Sequence, residues 1–135
     1  LVFSMEDIVV PMTEIPGAVQ QISRLGEKYN VAMHCAGHCG DGNVHIDILK
    51  DDRTQEEWEE MLPKIQGEIY ALVCKLGGRL SGEHGICYKR EALLEKYTDP
   101  VELKMMKAVK KALDPKNIMN PGKVVSINDE VPVEE

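Results

Sequence analysis

The chain has 135 residues, a net charge of −7, 43% hydrophobic and 29% charged residues, the size and balance of one globular domain. No apolar run reaches the roughly 20 residues that span a bilayer, and the start, Leu1-Val2-Phe3-Ser4, has no basic leader. Ser126 to Glu135 holds four acidic and no basic residues, so the body carries only −3, and with six aromatic residues neither a basic patch nor a stacking platform for nucleic acid is expected.

Asp7-Ile8-Val9-Val10-Pro11 is a β-branched run closed by proline and reads as a strand. Pro16 suits a first helical turn, and Ile15, Ala18, Val19, Ile22 and Leu25 follow at helical spacing up to Tyr29-Asn30. Val31 to Ala36 reads as a second strand. Val44-His45-Ile46-Asp47-Ile48-Leu49 alternates with period two, as a half-buried strand does. Between them Gly37 to Asn43 is rich in turn residues, and Asp41-Gly42 is a favoured two-residue hairpin turn.

Thr54-Gln55-Glu56-Glu57 is a capping box. Behind it Trp58, Met61, Leu62, Ile65, Ile69, Leu72, Val73 and Leu76 form the clearest helical stripe of the chain, which Pro63 should kink or divide and Gly77-Gly78 should end. Leu80 to Ile86 is a Gly-punctuated loop holding Glu83 and His84 side by side. Lys89 to Tyr97 reads as a short helix. Asp99-Pro100 starts another, with Met105, Met106, Val109 and Leu113 expected on its inner face as core filler. Asn120-Pro121-Gly122-Lys123 is a turn before a last short strand at Val124-Val125. The order predicts an α+β fold: an antiparallel sheet with helices on one face, ferredoxin-like β-α-β-β-α, followed by C-terminal helices. Residues 126–135 read as an acidic, mobile tail.

The four cysteines, Cys35, Cys39, Cys74 and Cys87, make no CxxC pair and no second Cys/His cluster at finger spacing. A reduced, cytoplasmic chain is the expectation, rather than a disulfide framework or a structural zinc knuckle. A Cys39–His84 nucleophile pair is the weaker reading of the same residues, against a buried, inert thiol.

The main chemical feature is His38 and His45. With Asp41-Gly42 as the turn they face each other directly; with Gly42-Asn43 as the turn, His38 opposes Asp47 on the same face. Any two-residue loop here puts both imidazoles on one surface, where they can share a metal. Glu83 and His84 are the natural source of a third ligand, and two His plus a carboxylate with open positions is catalytic-metal geometry. The bland alternative is a pair of hydrogen-bonded surface histidines beside a Gly-rich turn.

Three longer stretches make the chain recognisable. Gly37-His38-Cys39-Gly40-Asp41-Gly42-Asn43-Val44-His45 resembles the GHxGDGNxH motif of FAD-linked oxidases with a vanillyl-alcohol-oxidase-type flavin domain, the group of glycolate oxidase, D-lactate dehydrogenase and D-2-hydroxyglutarate dehydrogenase. Gly77 to Ile86 resembles its GGxxSGEHGI motif, and Leu113 to Lys123 its closing LDPxNIxNPGK. The resemblance runs from about Asp7 to Val125.

It implies that residues 1–125 are the C-terminal part of such an enzyme: a fragment of the substrate (cap) domain plus a C-terminal flavin-contacting segment. The N-terminal FAD-binding domain is absent, in line with a chain that starts without Met. The implied roles are metal ligation by His38, His45 and Glu83 (zinc-like or manganese-like), base catalysis by His84, and flavin proximity for Glu83, His84, Gly85, Asn120 and Lys123. Asn43 and Asp47 fall near the substrate. Cys39, Cys87 and Asp47 depart from the family's usual residues, and Asp47 bears on the choice of substrate. The implied reaction is oxidation of a small 2-hydroxy acid, by metal-assisted loss of the hydroxyl proton and hydride transfer to FAD. The expected partners are the missing FAD-binding domain, an electron-transfer partner, and a second copy meeting the surface that the missing half would cover. The rival reading is a metal-binding or structural cap module with no redox activity of its own.

Overall fold

The computed structural model describes residues 3–86 and 91–127. The chain divides into two compact units, Leu1–Gly85 and Ile86–Glu135.

The first unit follows the expected order: β1 (Phe3–Val9), α1 (Ile15–Tyr29), β2 (Met33–His38), β3 (Asn43–Leu49) and α2 (Gln55–Lys75). The three strands form one antiparallel sheet in the order β1-β3-β2. Arg79, beyond α2, forms a single antiparallel bridge with Val9 on the outer side of β1. It stands where the fourth strand of a ferredoxin-like sheet would pair. β1 starts earlier than Asp7, because its pairing to β3 runs residue by residue from Phe3↔Leu49 to Val9↔Asn43. It also stops before Pro11, since the Val10 N–H is already donated to the Gly42 carbonyl.

Alternation along the strands separates two faces. Ile8, Val44, Ile46 and Ile48 are buried, and with them Ala18 and Ile22 of α1 and Ile65, Ile69 and Val73 of α2. This is the core, with both helices on one face of the sheet. Each fully buried Ile or Val contributes about 1.5–3 kcal/mol by leaving water. One polar group lies among them. The Glu6 carboxylate accepts hydrogen bonds from Ser4 Oγ (2.9 Å), Gln66 Nε2 (2.8 Å) and the Tyr70 hydroxyl.

The helices end where local chemistry says they should. Asn30 closes α1 in a left-handed conformation (φ 49°). The Thr54 capping box is complete, with Glu57 N–H donating to Thr54 Oγ1 (3.2 Å) and Thr54 N–H to Glu57 Oε2 (2.9 Å). α2 is not divided at Pro63: it runs unbroken over 21 residues. Proline removes one N–H there, and the packed stripe on either side holds the helix together.

The second unit holds α3 (Glu91–Tyr97) and α4 (Pro100–Leu113); Lys89 and Arg90, expected in the first of these, lie outside the described residues. The face of α4 expected to be internal is open. Met105, Val109 and Leu113 are 65%, 59% and 77% exposed, and α4 has no buried residue. Nor is there a strand at Val124-Val125. Val124 takes a left-handed φ of 68°, and the Val125 N–H turns back to the Lys123 carbonyl. The tail beyond Ile127, like Cys87, lies outside the described residues. Among the described residues no helix is long and apolar enough to cross a membrane.

The closing turn of this unit is tied by Asp114. Its carboxylate pairs with Lys110 and accepts the N–H groups of Ile118 (3.0 Å) and Met119 (2.8 Å). The Lys110 ammonium, helped by those two N–H groups, holds the carboxyl below its ordinary value. The resulting stability is therefore present above the ordinary carboxylate range and is lost as pH falls below it. We expect Asp114→Asn to lower the thermal midpoint at pH 7, and the gap from the parent protein to shrink at pH 3. A gap independent of pH would contradict this.

Candidate metal centre

The hairpin between β2 and β3 sets the site. Its register pairs His38 with Asn43 and Ala36 with His45. The loop is thus four residues long, Cys39 to Gly42, instead of the two expected. Asp41 is responsible: its N–H donates to the His38 carbonyl (3.3 Å), and its Oδ1 accepts the Asn43 N–H (3.1 Å). Gly42 follows at φ 83°, with the Val10 carbonyl oxygen occupying the space a Cβ would need, so only glycine closes the loop there. His38 and His45 are therefore diagonal neighbours, not directly opposed. An even-length loop still leaves both on one face, the face turned away from the helices.

Directly across from His45 on β1 is Asp7. It is completely buried, although from the sequence it reads only as the start of a strand. Its Oδ2 accepts the backbone N–H groups of Gly82 (3.0 Å), Glu83 (2.9 Å) and His84 (2.8 Å), and the Ser81 hydroxyl (3.2 Å). Its Oδ1 accepts Asn43 Nδ2 (2.8 Å) and lies 3.7 Å from His45 Nδ1. Burial pushes this carboxyl up, but the donated N–H groups of His84 and Glu83, with Asn43 and Ser81, outweigh it and hold it at about 2. The loop approaches so closely that a Cβ on Gly82 would collide with Asn43 Nδ2.

So held, the loop delivers Glu83 to the two histidines. Glu83 Oε1 lies 3.0 Å from His45 Nε2 and 3.6 Å from His38 Nε2, and one donor atom from each of the three residues falls within 4.8 Å of the others. Two donors, each about 2.1 Å from a tetrahedral ion, lie about 3.4 Å apart, so the spacing suits one divalent cation. The donor chemistry, two imidazoles and a carboxylate, suits zinc or manganese. His45 is 20% exposed, against 65% for His38 and 51% for Glu83; the centre opens to the outside on one side.

The other expected residues fall as follows. The His84 ring centroid is 5.4 Å from that of His45, beside the three donors. Asp47 is two residues from His45 on the same face, opposite His34. Asn43 is buried, its amide nitrogen turned to Asp7 and its Oδ1 without a hydrogen-bond partner. Gly85 ends the loop at φ 72°. Asn120 and Lys123 belong to the second unit, on the segment after α4, where Asn120 takes φ 50°. Cys35 and Cys39 are exposed free thiols, and neither is among the three clustered donors.

Comparison with known proteins places this arrangement. The family model "FAD linked oxidases, C-terminal domain" matches residues 2–124. The chain is 38% identical over 120 residues to glycolate oxidase subunit GlcD of Bacillus subtilis, covering 89% of this chain and 25% of that protein. It is 37% identical over 124 residues to a D-lactate dehydrogenase of Archaeoglobus fulgidus (92% and 27%). It is 36% identical over 121 residues to a D-2-hydroxyglutarate dehydrogenase of Stutzerimonas stutzeri (87% and 26%). The chain thus spans about a quarter of the length of these relatives. It belongs to the FAD linked oxidases, as a member of their C-terminal domain family.

Proposed function

We propose that residues 1–125 are the C-terminal part of a cytoplasmic, FAD-dependent enzyme that oxidises a small 2-hydroxy acid. The observation carrying this reading is the convergence of His38, His45 and Glu83 with His84 alongside, in a family defined by its flavin. His38 Nε2, His45 Nε2 and a Glu83 carboxylate oxygen would hold the metal. Bound there, a divalent cation supplies a Lewis acid that lowers the pKa of a coordinated hydroxyl. FAD, carried mainly by a domain outside this chain, supplies the hydride acceptor.

The chain's own residues bind and move the proton. The imidazole of His84 takes the substrate's hydroxyl proton at a free ring nitrogen while the carbon-bound hydrogen leaves as hydride, and the C–O bond becomes a carbonyl. Asp47 and Asn43 border the substrate on the metal face. Gly85 is assigned to the flavin with Glu83 and His84; Asn120 and Lys123, in the second unit, are assigned to it on the family resemblance alone. An electron-transfer partner would reoxidise the flavin.

The test is anaerobic mixing of the flavin-containing parent with D-lactate, glycolate or D-2-hydroxyglutarate. One of these is expected to bleach the flavin absorbance. A flavin that none of them reduces contradicts the reading.

A further inference from the structure

We infer that Asp7 is the positioning residue of the metal centre: it clamps the Glu83–His84 loop onto the histidine hairpin and fixes which ring nitrogen of His45 faces the metal. The inference rests in part on the metal reading proposed above.

The two ligand sources come from distant parts of the chain, a hairpin at residues 38–45 and a loop at 81–84. The one side chain hydrogen-bonded to both is Asp7 among the described residues. Three consecutive backbone N–H groups converge on one of its oxygens, which makes the loop an anion-binding nest with the anion built in. The Glu83 backbone is thereby fixed at its nitrogen, two bonds from the Cβ at the root of the ligating side chain. The His84 backbone is fixed in the same way.

The other oxygen acts on His45. That imidazole directs Nε2 at Glu83 (3.0 Å) and Nδ1 at Asp7 (3.7 Å). Nδ1 is buried and has no hydrogen-bond partner among the described residues. Without metal, Nε2 can donate to Glu83 Oε1; a cation on Nε2 requires the ring proton on Nδ1, where the Asp7 carboxylate stabilises it, the relation common to metal-bound histidines and the groups behind them. An asparagine at position 7 cannot serve both functions: with its NH2 toward the loop it would meet the three N–H groups, and with its NH2 toward the hairpin it would meet Asn43 Nδ2 and leave no carboxylate facing His45 Nδ1.

The experiment uses the full chain and three readouts: amide hydrogen exchange of Gly82, Glu83 and His84 without metal, Zn2+ affinity by calorimetry, and the 15N shifts of the His45 ring with Zn2+ bound. In the parent protein the three amides should be protected, and His45 should bind through Nε2 with its proton on Nδ1. Asp7→Asn should expose the amides, weaken Zn2+ binding about 10–100-fold, or do both. Tyr70→Phe is the control. It loses a hydroxyl bonded to Glu6 on the opposite face of the sheet, and should lower stability without changing any of the three readouts.

A folded Asp7→Asn protein with protected amides and parental Zn2+ affinity overturns the inference. If that variant does not fold, the parent protein still decides. Amides exchanging at free-peptide rates, or zinc on His45 Nδ1, overturn the inference without it. A parent protein that protects the amides but binds no zinc overturns the metal reading and the ligand-fixing role, and leaves the clamp supported.

Discussion

His84→Ala in the flavin-containing parent is expected to slow substrate-dependent flavin reduction by about 10²–10⁴-fold, the usual contribution of one well-placed base. Zinc binding should be unchanged. The reason lies in the loop. The backbone of His84 is held by Asp7, and its ring lies beside His45 without being one of the three clustered donors. Truncation at Cβ therefore removes the imidazole and leaves the ligands where they are. Added imidazole should restore part of the rate. A variant that reduces flavin at the parental rate removes the base assignment.

His45→Ala has the opposite signature. His45 is the least exposed of the three donors and the closer histidine to Glu83. Its loss should weaken Zn2+ binding by more than about 100-fold, beyond the cost usual for losing an outer-shell partner. The fold should survive, since the side chain sits on the face of the sheet turned away from α1 and α2. Calorimetry with Zn2+, alongside a thermal unfolding curve, checks both statements. Parental affinity in the folded variant would mean that the metal, if bound, is bound elsewhere.

How far the sequence could be read depends on whether a feature is written in periodicity or in side-chain reach. α1, β3 and α2 repeat their apolar residues along one face, and the Thr54 box and Asn30 mark ends, so these elements were legible within a few residues. The placement of both histidines on one face was legible too, since it depends only on an even loop length. The register was not. Asp41 caps its own turn through Oδ1, and that choice between a two- and a four-residue loop leaves no trace in the apolar pattern.

Asp7 was legible only as an anomaly, a carboxylate inside a β-branched run; its partners lie 36 to 77 positions away, and local pattern carries nothing about them. The opposite error occurred on α4. Met105, Val109 and Leu113 have core spacing, and spacing shows an apolar face without showing what covers it. The resemblance to FAD-linked oxidases rested on three motifs, and each turns out to be a place where backbone geometry is specified. These are the Gly42 loop closure, the Gly82 close approach and the Asp114-tied turn.

On the proposed function, His38, His45 and Glu83 form a metal centre. Zinc K-edge X-ray absorption of the chain loaded with one equivalent of Zn2+ tests it most directly. The prediction is a first shell of nitrogen and oxygen at about 2.0–2.2 Å with the scattering pattern of two imidazoles, lost in His45→Ala. A shell containing sulfur at about 2.3 Å would place the ion on a cysteine and contradict a centre built from His38, His45 and Glu83.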